Sequence, residues 1–267
     1  MTKPITVWMT PPGPNPWKVD YLDWKPATRK YCTDGPLRSS SSSKNSKSPT
    51  RFNPSKFDDI KNPPFVNINP NGRAPAIVDP NPNLTLWESG AIIQYLIEVY
   101  DPEKKLTYTT LHERHLLNQY LHFQMSGQGP YFGQAAWFNV FHPEKLPTVI
   151  DRYANEVRRV LRVLNTVLKG KTWLVGDKPT VADLAFVPWN GLVNFLLPGE
   201  DYWTPYPHVE AWQRRMEERA SWKKCLALRA PLMDEQGLQP NGMPKGLSNA
   251  KEYDEVIARN AEEQKKQ

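Results

Sequence analysis

"NGRAPAIVDPNPNLTLWESGAIIQYLIEVY" occupies residues 71–100, and the order of its elements decides the fold. Within it, "RAPAIVDP" and "LTLW" read as two short strands separated by the turn signal "NPN". The period then changes. Ala91, Ile92, Tyr95, Leu96 and Val99 recur at helical spacing in "ESGAIIQYLIEVY". Two strands feeding a helix imply a small α/β unit. Pro75 stands inside a strand pattern with no N–H to give the ladder, so it is an edge-strand proline or follows a cis bond. Glu88 and Ser89 fall at or beside the N-cap of the helix. Free N–H groups there can hold a carboxylate, and Glu88 can pair with an ammonium, the two charges of an α-amino acid group. Plain capping accounts for the same two residues.

Working outward, "ITVWMT" reads as a further strand, which makes residues 1–104 a mixed α/β domain. Past "DPEKKL" only helical periods remain, as in "LHERHLLNQYLHFQMSG", "LPTVIDRYANEVRRVLRVLNTVLKG" and "HVEAWQRRMEERASWKKCLALR". Residues 105–232 therefore read as an all-α bundle. Inside it, Thr180 followed by Asp183 in "GDKPTVADLAF" is a capping-box variant with a structural role. Residues 233–267 are polar and read as a mobile tail.

Composition narrows the function. The net charge of +6 is concentrated in residues 18–61, while elsewhere basic and acidic residues interleave as on solvated helix faces. No zinc spacing or basic–aromatic signature accompanies it, so nucleic acid is not an expected partner. No apolar run reaches the roughly 18 residues of a membrane span, and the start is not signal-like. Cys32 and Cys225 form neither a disulfide framework nor a metal set. These features describe a soluble cytoplasmic protein.

Five ordered stretches, "PNPWKV", "NPNGRAPAIVD", "WESGAIIQYL", "WLVGDKPTVADLAFVPWN" and "HVEAWQRRME", together resemble the cytosolic glutathione transferases, in the fungal branch related to the yeast nitrogen-regulatory prion protein. The resemblance implies a thioredoxin-like N-terminal domain, an all-helical C-terminal domain, a homodimer, and glutathione as co-substrate without a metal. It makes Pro75 the family's cis-proline, with Arg73 and Ala74 beside the glutathione backbone. It gives Glu88 and Ser89 the γ-glutamyl group and Lys61 the glycine carboxylate. The family's thiol-activating position is Tyr, Ser or Cys according to class; here the turn "TPPGPNPW" offers Asn15. An amide cannot take a proton, but its N–H can stabilise a thiolate, aided by the helix N-terminus behind it. The resemblance also puts Met125–Phe138 beside an apolar electrophile, with Ser126, Gln128, Tyr131, Phe132 and Trp137 as candidate contacts. For any one of these, packing at a helix kink is the competing role. The implied activity is thiolate transfer to an apolar electrophile, or peroxidase or disulfide-reductase chemistry, in detoxification or a secondary-metabolite pathway. The alternative is a non-catalytic regulatory protein. The yeast relative's long Asn/Gln-rich extension has no counterpart before "ITVW", so prion-type behaviour is not expected.

Residues 19–51 depart from the family. Where an apolar helix and second strand are expected, the chain carries "DYLDWKPATRKY" and the serine run Ser39–Ser43. Serines cannot make the buried face of that helix. Read one base back, the codons of Arg38 to Thr50 permit an apolar then acidic run, the missing helix and strand start. Val19 must begin GT, and Leu37–Arg38 can end in CAG. Residues 19–38 thus read as a translated intron and 39 to about 51 as exon out of frame; a genuine insertion is the other reading.

Overall fold

The computed structural model describes residues 3–22, 29–32 (backbone) and 59–247, with 251, 252 and 255 beyond them. The serine run and most of the final stretch lie outside the described residues. Four strands, β1 (Ile5–Trp8), β2 (Arg29–Cys32), β3 (Ala76–Asp79) and β4 (Leu84–Trp87), form one sheet in the order β2-β1-β3-β4. β1 and β2 are parallel, whereas β3 runs antiparallel to both β1 and β4. This is the thioredoxin-like arrangement, with helices α1 (Pro14–Tyr21), α2 (Phe65–Ile68) and α3 (Ser89–Val99) around it.

Strand alternation divides the core. Ile5 and Val7 face the main cluster with Ile77, Ile92, Ile93 and Leu96, while Trp8 faces a smaller one with Ile60, Phe65 and Ala76. Fully burying each such aliphatic side chain stabilises the domain by about 1.5–3 kcal/mol.

Two expectations from residues 19–51 need correcting. A covering helix is present: α1 runs two turns, to Tyr21, and buries Trp17, Val19, Tyr21 and Leu22. The Tyr21 hydroxyl donates to the Met216 carbonyl and its ring tilts against Trp222 at 5.1 Å. A second strand also exists, since the backbone of 29–32 pairs with β1, in a stretch without strand periodicity.

The helical domain comprises α4 (Leu111–Phe123), α5 (Gly129–Ala136), α6 (Pro147–Leu168), α7 (Val181–Asn190), α8 (Val193–Leu196), α9 (Pro207–Glu217) and α10 (Ala220–Glu235). Two wide π-turns, Gln124–Gln128 and Trp137–Phe141, flank α5. Every residue of α7 is buried, so the bundle is built around it. α6 shows the opposite design: Val157, Val160, Leu161, Leu164 and Leu168 make its apolar stripe and arginines its outer face. The chain does not leave the body at residue 233. Met233 and Met243 are buried, Leu238 bridges to Pro244, and Gly242 packs on Pro12 and Phe141.

Candidate functional site

The sheet's register assembles the site. Trp8 of β1 pairs with Ala76 of β3, and Ala76 pairs with Trp87 of β4. Three features therefore meet at one end of the sheet: the turn leaving β1, Pro75 entering β3, and Glu88–Ser89 leaving β4. The Ala74–Pro75 peptide bond is cis, as is Pro63–Pro64, which the sequence reading did not single out.

The turn after β1 is held from behind, because Trp17 Nε1 (2.8 Å) and Arg229 Nε (3.1 Å) both donate to the Pro11 carbonyl. It delivers Asn15 at the second position of α1. Pro14 and Pro16 carry no N–H, so the first turn's free donors are fewer than in an ordinary helix. Asn15 contributes both a backbone N–H and a side-chain amide. The Asn15 side-chain oxygen accepts from Trp189 Nε1 at 3.0 Å. With its oxygen accepting from Trp189, the amide has its NH2 to offer as a donor. Trp189 in turn packs edge-on to Phe132 at 6.3 Å. Sequence reasoning missed Trp189; the signal was an indole N–H in "VPWN", on a helix too buried to leave it without a partner.

Glu88 is the N-cap of α3 and has φ of 71°, an uncommon conformation for a residue with a side chain. Such conformations cost about 1–3 kcal/mol and concentrate at ligand-holding sites. The Glu88 carboxylate is exposed and accepts from Asn71 Nδ2 at 3.4 Å, without capping its own helix. Ser89 is buried beside it. Exposed Arg73 and half-buried Ala74 lie on the approach to β3, where buried Asn69 holds the Arg73 carbonyl with its side-chain amide. Lys61 is exposed and donates to the Gly72 carbonyl at 2.7 Å, which brings it to the same edge. All the polar residues named from sequence for one extended, zwitterionic ligand thus gather here.

Lys18 was not among them. It is wholly buried, with Nζ 2.6 Å from Gln124 Oε1 and 3.4 Å from Ser89 Oγ. Burial pushes its ammonium down to about 7, and the Glu88 charge partly opposes the shift.

The candidate electrophile contacts divide by helical face. Gln128 and Phe132 have no exposed surface, which corrects their assignment: Gln128 bonds to Gln124 and Asn190, and Phe132 packs on Trp189. Tyr131 lies under Arg152 and Arg159 of α6, 6.0 and 5.7 Å from its ring centre. Ser126 is exposed. Trp137, half exposed, stacks on Phe141, which itself meets Gly242 and through it Pro12. An apolar cavity of about 60 Å³ opens beside Pro12 and Pro14, backed by Trp17, Pro188, Leu192 and Trp222. Among the described residues no His, Cys, Asp and Glu cluster could hold a metal. No helix among them is long and apolar enough to cross a membrane.

Comparison with known proteins gives a consistent picture. The models for the glutathione S-transferase N-terminal and C-terminal domains match residues 49–98 and 130–220. The glutathione S-transferase-like protein tpcF of Aspergillus fumigatus is 47% identical over 179 residues, 63% of this chain and 80% of its own length. The glutathione transferase URE2P6 of Phanerochaete chrysosporium, solved with oxidized glutathione, is 40% identical with a TM-score of 0.73 over 86% of this chain and 98% of its own. Ure2p5 of the same organism, cocrystallized with 1-(S-glutathionyl)-2,4-dinitrobenzene, is 34% identical with a TM-score of 0.72 over 88% and 98%.

Proposed function

We infer the function from a premise now in hand: the chain belongs to the glutathione S-transferase family, in its URE2-like fungal branch. It binds glutathione and transfers the thiolate to an electrophile. The observation that carries the assignment of residues is the convergence of the Asn15 turn, the cis-proline edge and Glu88–Ser89 at one end of the sheet. Glutathione lies extended along that edge. Its cysteine backbone meets the chain at Arg73–Pro75, and its glycine carboxylate lies toward Lys61. The Glu88 carboxylate takes the γ-glutamyl ammonium; the Ser89 hydroxyl and the N-terminus of α3 take the carboxylate.

The thiol then falls at Asn15. Trp189 occupies the amide oxygen, so the NH2 donates to sulfur and favours the ionised form. The electrophile is apolar and lies against Pro12, Trp137 and Phe141; the 60 Å³ cavity beside Pro12 admits only a small group, so most of it stays at the open surface. The protein works in the cytoplasm as a homodimer, in detoxification or a secondary-metabolite pathway, and requires no metal.

Ser89→Ala is expected to weaken glutathione binding about tenfold, since a hydrogen bond to a charged group contributes roughly 1.5–3 kcal/mol. Glu88→Ala is expected to weaken it less, because its carboxylate is exposed and screened. Isothermal calorimetry reads both. Unchanged affinity in the two variants would remove the γ-glutamyl assignment.

Residues 19–38 are a translated intron in this reading, although Val19, Tyr21 and Leu22 pack in the core and the backbone of 29–32 pairs with β1; the glutathione S-transferase N-terminal match begins at residue 49. Transcript reads check it. Reads joining the Lys18 codon to an apolar helix are expected, whereas full-depth coverage of codons 19–38 would sink it.

A further inference from the structure

Lys18 opens a chain of buried hydrogen bonds that crosses the helical domain. Its Nζ donates to Gln124 Oε1 (2.6 Å), and Gln124 Nε2 donates to Gln128 Oε1 (3.0 Å). Gln128 Nε2 donates to Asn190 Oδ1 (2.8 Å), and Asn190 Nδ2 to Gln213 Oε1 (3.2 Å). Gln213 Nε2 donates to Glu217 Oε1 at 2.7 Å. The four amides are almost fully buried, and Glu217 stands partly exposed on α9. An ammonium can only donate and a carboxylate can only accept, so the two ends fix the sense of every amide between them. All four dipoles point the same way, and aligned bonds in a low-dielectric interior reinforce one another.

This arrangement leaves a buried cation with the Glu217 carboxylate at the far end of a relay and the Glu88 charge acting on it without an ion-pair contact. Among the described residues no carboxylate makes ion-pair contact with Lys18. Its other near atoms are Ser89 Oγ at 3.4 Å and Met125 Sδ at 4.0 Å. Burying a charge with only partial compensation is expensive, so such a site is matched to an incoming anion. We propose that Lys18 is a positioning residue for glutathione: its ammonium, held by the relay from Gln124 to Glu217, acts through the Ser89 hydroxyl on the γ-glutamyl carboxylate. The proposal rests on the glutathione reading above. The ammonium donates to Ser89 Oγ, and that hydroxyl's own proton, which meets the Met125 sulfur at 3.6 Å, turns from this weak acceptor to the ligand. No covalent step is involved.

The charged groups around α1 restrict what can titrate. From the start of α3, Glu88 bears on Lys18. The π-turn contributes uncharged Gln124 and Met125. Arg219, Glu217, Cys225 and the α7 carboxylate Asp183 act on Tyr21, Cys225 also meets Asp20, and Arg229 holds Pro11. Lys18 therefore titrates near neutrality in the free protein, and an arriving carboxylate favours its cation. Affinity for such a ligand is greatest below the free-state value of about 7 and falls as pH rises through it.

The test uses S-methylglutathione, which has no titrating thiol, and its analogue lacking the γ-glutamyl α-carboxylate, with calorimetry from pH 6 to 8.5. Lys18→Met is expected to lose about tenfold to thirtyfold in affinity for S-methylglutathione at pH 6 and less than twofold for the analogue. Wild-type affinity for S-methylglutathione is expected to fall across this range, whereas that of Lys18→Met stays flat. Gln128→Met breaks the relay away from the ligand and is expected to move the fall to lower pH. Equal losses for both ligands, or a pH profile retained in Lys18→Met, would overturn the proposal and leave the glutathione reading standing. Wild-type protein that binds neither ligand would overturn that reading itself.

Discussion

Asp183→Ala is expected to remove about 3–5 kcal/mol of stability, a large share of the roughly 5–15 kcal/mol of a typical domain. Asp183 is fully buried at the third position of α7 and receives four hydrogen bonds of 2.9 Å. One oxygen takes the Leu174 N–H and Trp212 Nε1; the other takes the Thr180 N–H and hydroxyl. Burial pushes its carboxyl up, and these donors oppose the shift. Alanine leaves two backbone N–H groups and an indole N–H without acceptors inside the bundle. Each costs about 1–3 kcal/mol, and the sum is less than additive because the loop before α7 can relax. The side chain also joins α7 to α9 and to the 174 loop, so no other local bond substitutes. Urea unfolding measures the effect. A loss below about 1 kcal/mol with an unchanged slope would mean that water or neighbouring groups satisfy the donors.

Asn15→Ala is expected to lower turnover about 100-fold while leaving glutathione affinity, measured below the bound thiol's midpoint, within about twofold. One well-aimed donor to a developing or resident anion contributes roughly 2.7–4 kcal/mol. The low end applies because the variant keeps the backbone N–H of residue 15 in the first turn of α1. The two prolines prevent the helix start from replacing more of the lost bond. An effect on turnover without one on affinity is the mark of a group that favours the ionised sulfur rather than the bound ligand. Trp189→Phe keeps an aromatic ring against Phe132 but frees the Asn15 oxygen. It is expected to lose part of the same rate, because the amide can then turn its oxygen toward the sulfur. Steady-state kinetics with an aryl halide as electrophile separates the two. Full activity in Asn15→Ala would reduce Asn15 to a turn residue.

Local chemistry made much of this legible in the sequence. The strand pair, the α3 stripe, the Thr180–Asp183 cap and the all-helical second domain follow from residues close together, and so does the Glu88–Ser89 helix start. Partners distant in sequence stayed hidden. Trp189 lies 174 residues from the Asn15 it orients, and Lys18 lies 106 residues from Gln124. Gln128 read as a candidate ligand contact; only the packing of α7 shows that its side chain turns inward, onto Gln124 and Asn190. The positive φ of Glu88 left no mark, because glutamate is not a residue that announces that conformation. β2 escaped because its pairing with β1, not an alternating pattern of its own, makes it a strand.

The most direct test of the central claim is the ionisation of the glutathione thiol on the protein, followed by thiolate absorbance as pH is raised. In the wild type the bound thiol is expected to ionise at lower pH than free glutathione. In Asn15→Ala its midpoint is expected to return about one to two units toward the free value, as about 1.4 kcal/mol per unit requires. The same midpoint in both proteins, with glutathione bound in each, would contradict the assignment of Asn15 as the thiolate's donor.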